Sequence, residues 1–126
     1  MGKIMQNTIR VLYVDDEDNL RTLVQQQLTA EGFTVETADD GDTAVDKLDK
    51  KSYDVVLLDI RMPRMNGMEV LKHMKNKGMT TRIIMLTAVD DLTVALEAVK
   101  MGAIDYLTKP YDYNELVRAI TRAVGQ

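Results

Sequence analysis

The sequence predicts an α/β fold in which a five-stranded parallel sheet carries helices on both faces. Three observations predict it. Short apolar runs alternate along the chain with longer amphipathic stretches. The runs are apolar throughout rather than at every second residue, as in strands buried on both faces. The stretches between them are long enough to cross the sheet, and such crossovers are right-handed. No linker rich in Pro, Gly or Ser divides the 126 residues, and no internal repeat is visible. One domain is therefore expected over 9–126, with 1–8 as a loose polar leader.

The elements follow in order. The first strand is expected over 9–14. Leu20, Leu23, Val24 and Leu28 then keep the i, i+3, i+4, i+8 spacing of a helix stripe, which Gly32 ends. A weaker strand over 33–37 precedes a short helix carrying Ala44, Val45 and Leu48. The strand over 55–58 is followed by a helix with Val70, Leu71 and Met74, stopped near Gly78. A strand over 83–86 leads to a fourth helix whose stripe reads Leu92, Ala95, Leu96 and Val99, stopped near Gly102. A weaker strand over 104–107 precedes the fifth helix, with Leu116, Val117, Ile120 and Val124 as its stripe. Asp112 and Glu115 form its capping pair.

Composition narrows the function. Hydrophobic residues make up 45% and charged residues 29%, enough for a core without staples. The absence of cysteine excludes disulfides, thiolate metal sites and cysteine nucleophiles. A net charge of −4 argues against direct nucleic-acid binding by this domain. No apolar run approaches the roughly 18 residues of a membrane helix, and the leader is too polar for a signal peptide. A cytoplasmic location without a membrane partner is expected.

Ligands of open α/β sheets bind beyond the carboxyl ends of the strands. Asp15, Asp16 and Glu17 follow the first strand, Asp59 the third, Thr87 the fourth, and Thr108, Lys109 and Pro110 the fifth. Asp39 and Asp40 after the second are a softer signal. Asp15, Asp16 and Asp59 would converge if strands one and three are neighbours. Three carboxylates in one pocket repel each other, which raises a pKa or demands a cation, and hard oxygen donors favour Mg²⁺ or Mn²⁺. Lys109 adds a positive charge and Thr87 a hydroxyl donor. A nucleophilic carboxylate, a metal site and fixed donors suit phosphoryl transfer. Other polar residues read as ordinary: Asp90 and Asp91 as helix-start acids, His73 as a solvated face residue, and the nine methionines as core filling.

Four segments carry a resemblance: Val11-Leu12-Tyr13-Val14-Asp15-Asp16-Glu17, the stretch 55–67 from Val55 through Asp59 to Asn66-Gly67, Ile84-Met85-Leu86-Thr87-Ala88, and the stretch 102–110 ending Thr108-Lys109-Pro110. In this order and spacing they resemble the receiver domains of two-component response regulators, such as single receivers of the chemotaxis or sporulation-phosphorelay kind. The resemblance implies a flavodoxin-like (βα)5 doubly wound sheet of order 2-1-3-4-5. It implies Asp59 as phosphoacceptor, with Asp15, Asp16, Asp59 and the backbone carbonyl of Arg61 around the metal. Asp16 would be the direct ligand and Asp15 would act through water. Thr87 and Lys109 would take the phosphoryl oxygens, and the Lys109–Pro110 bond would be cis. Thr87 and Tyr106 would form a switch that alters a surface of helix four, strand five and helix five, roughly 92–119. The phosphodonor would be a histidine kinase or phosphotransfer protein. The partner of the switched surface would be an output domain, a protein target or a second copy.

One departure and two alternatives bear on this resemblance. Asn66 stands before Gly67 where many receivers have Asp, and Asn caps a helix equally well. Arg61 and Val89 lie two positions beyond Asp59 and Thr87 and offer no carboxylate or amide to orient water, so a phosphoryl lifetime that is not short is expected. An aspartyl-phosphate phosphatase of the haloacid-dehalogenase type would need an acid/base carboxylate where Arg61 stands. A phosphate-independent binding module would not need the full pocket set. The chain is therefore expected to be no enzyme beyond catalysing its own phosphorylation and dephosphorylation.

Overall fold

The computed structural model describes residues 9–125; the expected leader, 1–8, lies outside the described residues. Five strands alternate with five helices: β1 (Arg10–Val14), α1 (Asp18–Glu31), β2 (Thr34–Ala38), α2 (Gly41–Lys50), β3 (Val55–Asp59), α3 (Gly67–Asn76), β4 (Arg82–Thr87), α4 (Leu92–Lys100), β5 (Asp105–Thr108) and α5 (Tyr113–Val124). A single 3-10 turn, Val89–Asp91, leads into α4. All strand pairs are parallel and the order is β2-β1-β3-β4-β5. The fold is flavodoxin-like, as the resemblance implies.

Alternation along each strand sorts the core into two layers. Val11, Tyr13, Leu57, Ile84 and Leu86 face α1 and α5, where Val24, Leu28, Leu116 and Ile120 meet them. Leu12, Val14, Val56, Leu58, Ile83 and Met85 face α2, α3 and α4, meeting Leu48, Leu71, Met74 and Ala95. Every residue of β3 is buried, which explains its unbroken apolarity.

Local chemistry sets the helix ends. Asn66 and Asp112 each form a capping box, with Glu69 and Glu115 returning the bond. Gly32 closes α1 at φ 111°, where a side chain would be strained. Gly78 and Gly102 stand one residue beyond the caps of α3 and α4, also at positive φ.

Three expectations about helix faces are corrected. Leu23 of α1 is half exposed, and its core side is held by Val24 and Leu28. In α4 the stripe is turned outward: Leu92, Leu96 and Val99 are exposed, while Ala95 and Ala98 are buried. The small alanines let the helix lie close on the sheet, so the larger residues fall to the flank. His73 is also not free on a solvated face. It is half-buried, and its Nε2 lies 2.8 Å from Asp49 Oδ1, joining α3 to α2.

Candidate phosphoacceptor and metal site

β1 and β3 are adjacent, with Tyr13 beside Leu57 and Val14 beside Leu58. Asp15 and Asp59 are the next positions along each strand, two residues on from Tyr13 and Leu57 of the layer facing α1 and α5. Period-two alternation thus delivers two carboxylates to one side of the rim. Asp16 stands beside them, exposed where Asp15 is buried. One oxygen from each of Asp15, Asp16 and Asp59 lies within 4.8 Å of the others, a cluster that could hold a metal ion. The donor set is all oxygen, which fits Mg²⁺ and Mn²⁺. A cleft of about 330 Å³ opens beside it, lined by Asp16, Asp59, Arg61, Ala88 and Lys109 among others.

The two buried carboxylates are held very differently. Asp15 Oδ1 accepts from the Glu17 N–H at 2.9 Å. Asp15 Oδ2 accepts from the Tyr13 hydroxyl and from Lys109 Nζ, each at 3.2 Å. Asp59 has the Lys109 ammonium, 3.2 Å from its Oδ2. Burial pushes the Asp59 carboxyl up to about 6; Lys109 opposes the shift, and Asp15 and Asp16 add to it. Burial works against the Lys109 ammonium, but Asp59 and Asp15 outweigh it and hold the group above its usual value. Lys109 precedes a cis peptide bond to Pro110, and its N–H donates to the Thr87 carbonyl at 2.7 Å.

Asp59 and Thr87 are the last residues of β3 and β4 rather than the first after them, and Thr108 likewise ends β5. Ladder bonds continue to the rim, with Ile60 N–H donating to Leu86 O at 3.1 Å. The Thr87 hydroxyl donates to the Ala88 carbonyl at 2.9 Å and is buried. Tyr106 is half-buried on β5 against the layer of α2, α3 and α4, beside Met85 and one pleat below the Thr87–Thr108 pair. Asp40 is not part of the site: it caps α2 through the Thr43 N–H and pairs with Arg64.

Sequence reasoning missed three residues at the site. Asp91 is no ordinary helix-start acid: it is 2% exposed, and the Arg61 guanidinium donates to both its oxygens at 2.5 Å. The Arg61 bond holds the Asp91 carboxyl below its usual value. This pair ties the loop after β3 to the start of α4. The others are Tyr13 and Tyr111, whose hydroxyls lie 2.5 Å apart. A hydroxyl in an otherwise aliphatic strand, two residues before Asp15, was the available signal for Tyr13. Tyr111 gave none. Gly67 serves the site by lacking a side chain, because a Cβ there would strike the Asp59 backbone carbonyl.

Comparison with known proteins agrees with this geometry. The family described as "Response regulator receiver domain" matches residues 11–121. Regulatory protein AtoC of Escherichia coli is 41% identical over 115 residues, covering 91% of this chain and 25% of that protein. The DNA-binding transcriptional regulator NtrC of Klebsiella pneumoniae is 40% identical over 112 residues, covering 89% and 24%. This chain therefore spans about a quarter of the length of these relatives. Among solved structures, a response regulator receiver domain protein from Clostridium thermocellum superimposes with a TM-score of 0.88 at 32% identity, covering 93% of this chain and 94% of that one. Full-length FixJ from B. japonicum gives 0.88 at 34%, covering 94% and 59%. Family match, fold and rim agree: the chain belongs to the response regulator receiver domains of two-component systems.

Proposed function

We propose that Asp59 accepts a phosphoryl group from a phosphohistidine on a histidine kinase or phosphotransfer protein. The observation that carries this is the contrast between the two buried carboxylates. Three donors occupy Asp15, whereas Asp59 faces the cleft with the Lys109 ammonium as its bonded partner. A nucleophile needs an oxygen uncommitted to other bonds. An Asp59 oxygen attacks phosphorus, the P–N bond of the donor breaks, and the electron pair returns to the imidazole. The product is an acyl phosphate.

Asp15, Asp16, Asp59 and the carbonyl of Arg61 would hold Mg²⁺ or Mn²⁺, which neutralises charge on the phosphoryl oxygens when bound. Lys109 holds one phosphoryl oxygen as a point charge, leaving its share of Asp59. Thr87 releases the Ala88 carbonyl and donates to another oxygen. That rotation opens room for Tyr106, on the same sheet face, to turn inward. The surface of α4, β5 and α5 changes as a result, and Leu92, Leu96 and Val99 supply it with exposed apolar area. Its partner is an output domain, a protein target or a second copy of this chain. The domain itself contacts neither nucleic acid nor membrane and acts in the cytoplasm; among the described residues no helix is long and apolar enough to cross a membrane.

Arg61 stands where a phosphatase would need an acid/base carboxylate, so outside substrates are not turned over and the chain catalyses only its own phosphorylation and dephosphorylation. Its guanidinium is engaged by Asp91, and Val89 offers no group to orient water. The phosphoryl group is accordingly not especially short-lived in the Mg²⁺-loaded protein; loss within seconds contradicts this. Incubation with Mg²⁺ and a small phosphodonor adds one phosphoryl mass to the wild type and none to Asp59→Ala. An equal gain in both refutes the assignment.

A further inference from the structure

Tyr13 and Tyr111 form a hydroxyl relay that ends on Asp15. Tyr13 is fully buried on β1, and its hydroxyl donates to Asp15 Oδ2 at 3.2 Å. The Tyr111 hydroxyl lies 2.5 Å from the Tyr13 oxygen. A tyrosine has a single O–H proton. Since that of Tyr13 goes to Asp15, Tyr111 must donate to Tyr13. The chain therefore runs in one direction, Tyr111 to Tyr13 to Asp15, and bonds so aligned polarise one another.

Tyr111 stands two residues after Lys109, on the loop between β5 and α5. The relay therefore ties the loop that carries Lys109 to the strand that carries Asp15, across 98 positions of sequence. Asp15 Oδ2 takes donors from both the relay and Lys109. Without the tyrosine hydroxyl, Lys109 would be its remaining donor, and the carboxylate would be freer to turn.

Resting on the metal reading above, we propose that Tyr13 and Tyr111 are positioning residues that set the orientation of Asp15 toward the cation. Partners that orient a metal-site carboxylate typically change affinity by about 10- to 100-fold when removed. Each Tyr→Phe change keeps the ring and deletes the hydroxyl alone.

The test is calorimetric titration of Mg²⁺ into the full chain, alongside the near-ultraviolet tyrosine difference spectrum. In the wild type Mg²⁺ binds and perturbs the tyrosine band. Tyr13→Phe weakens binding about tenfold and abolishes the perturbation. Tyr111→Phe weakens binding less, because Tyr13 still reaches Asp15, and diminishes the perturbation. Tyr113→Phe, whose hydroxyl bonds Glu31 instead, changes neither. Should Tyr13→Phe fail to fold, Tyr111→Phe decides. Wild-type affinity and spectrum in the folded variants overturn the relay while leaving the metal reading intact. A wild type that takes no Mg²⁺ while Asp59 still accepts phosphate overturns the metal reading and the relay together.

Discussion

Asp59 is the residue on which the local chemistry turns. Its carboxyl, pushed up to about 6 by burial and by Asp15 and Asp16, holds a proton more tightly in the fold than in the unfolded chain. The sign follows from linkage: this contribution is fully present below the unfolded value of 3.8 and is lost as pH rises through about 6. In metal-free protein Asp59→Asn should therefore melt higher than wild type near neutral pH. The gap should be on the order of 1–3 kcal/mol, several degrees in Tm, and close as pH falls toward 4. Lys109 keeps Asp15 as its partner in that variant. Thermal melts in a chelating buffer across this window test it. An Asn variant that melts lower at neutral pH would show that the Lys109–Asp59 attraction outweighs burial and repulsion.

At the level of single elements, α4 separates what periodicity reveals from what it leaves open. Spacing identifies a helix with one apolar stripe, but it does not say which arc touches the sheet. Here Ala95 and Ala98 take the contact and Leu92, Leu96 and Val99 do not, because small residues permit the closest approach. The rank order of substitutions is thus the reverse of what side-chain size suggests. Leu96→Glu should stay within about 0.5 kcal/mol of wild type. Ala95→Leu should cost about 1–3 kcal/mol by overpacking. Urea unfolding of both variants checks this, and a larger loss for Leu96→Glu would place the core on the wrong arc. α1 teaches the same lesson more mildly, with Leu23 outside and Leu28 inside. The start of α4 adds a second: Asp91, read as a surface acid, is buried by its bond to Arg61 from a loop 30 positions away.

Across the whole molecule, the parallel sheet was legible because continuous apolarity marks strands buried on both sides, and parallel strands deliver Asp15, Asp16, Asp59 and Lys109 to one rim; the order that makes strands one and three neighbours was legible only through the resemblance to receiver domains. The contacts that were not legible, Arg61 with Asp91 and Tyr111 with Tyr13, depend on side chains meeting across loops, which no local pattern encodes. Those contacts surround the cleft without changing its central assignment. That assignment is best tested by locating the phosphoryl group itself. After incubation with Mg²⁺ and a small phosphodonor, borohydride reduces an aspartyl phosphate to homoserine, and peptide sequencing by mass spectrometry finds the position. Homoserine is expected at position 59 and at no other aspartate. Homoserine at Asp15 or Asp16, or phosphate found on another residue type, would contradict it.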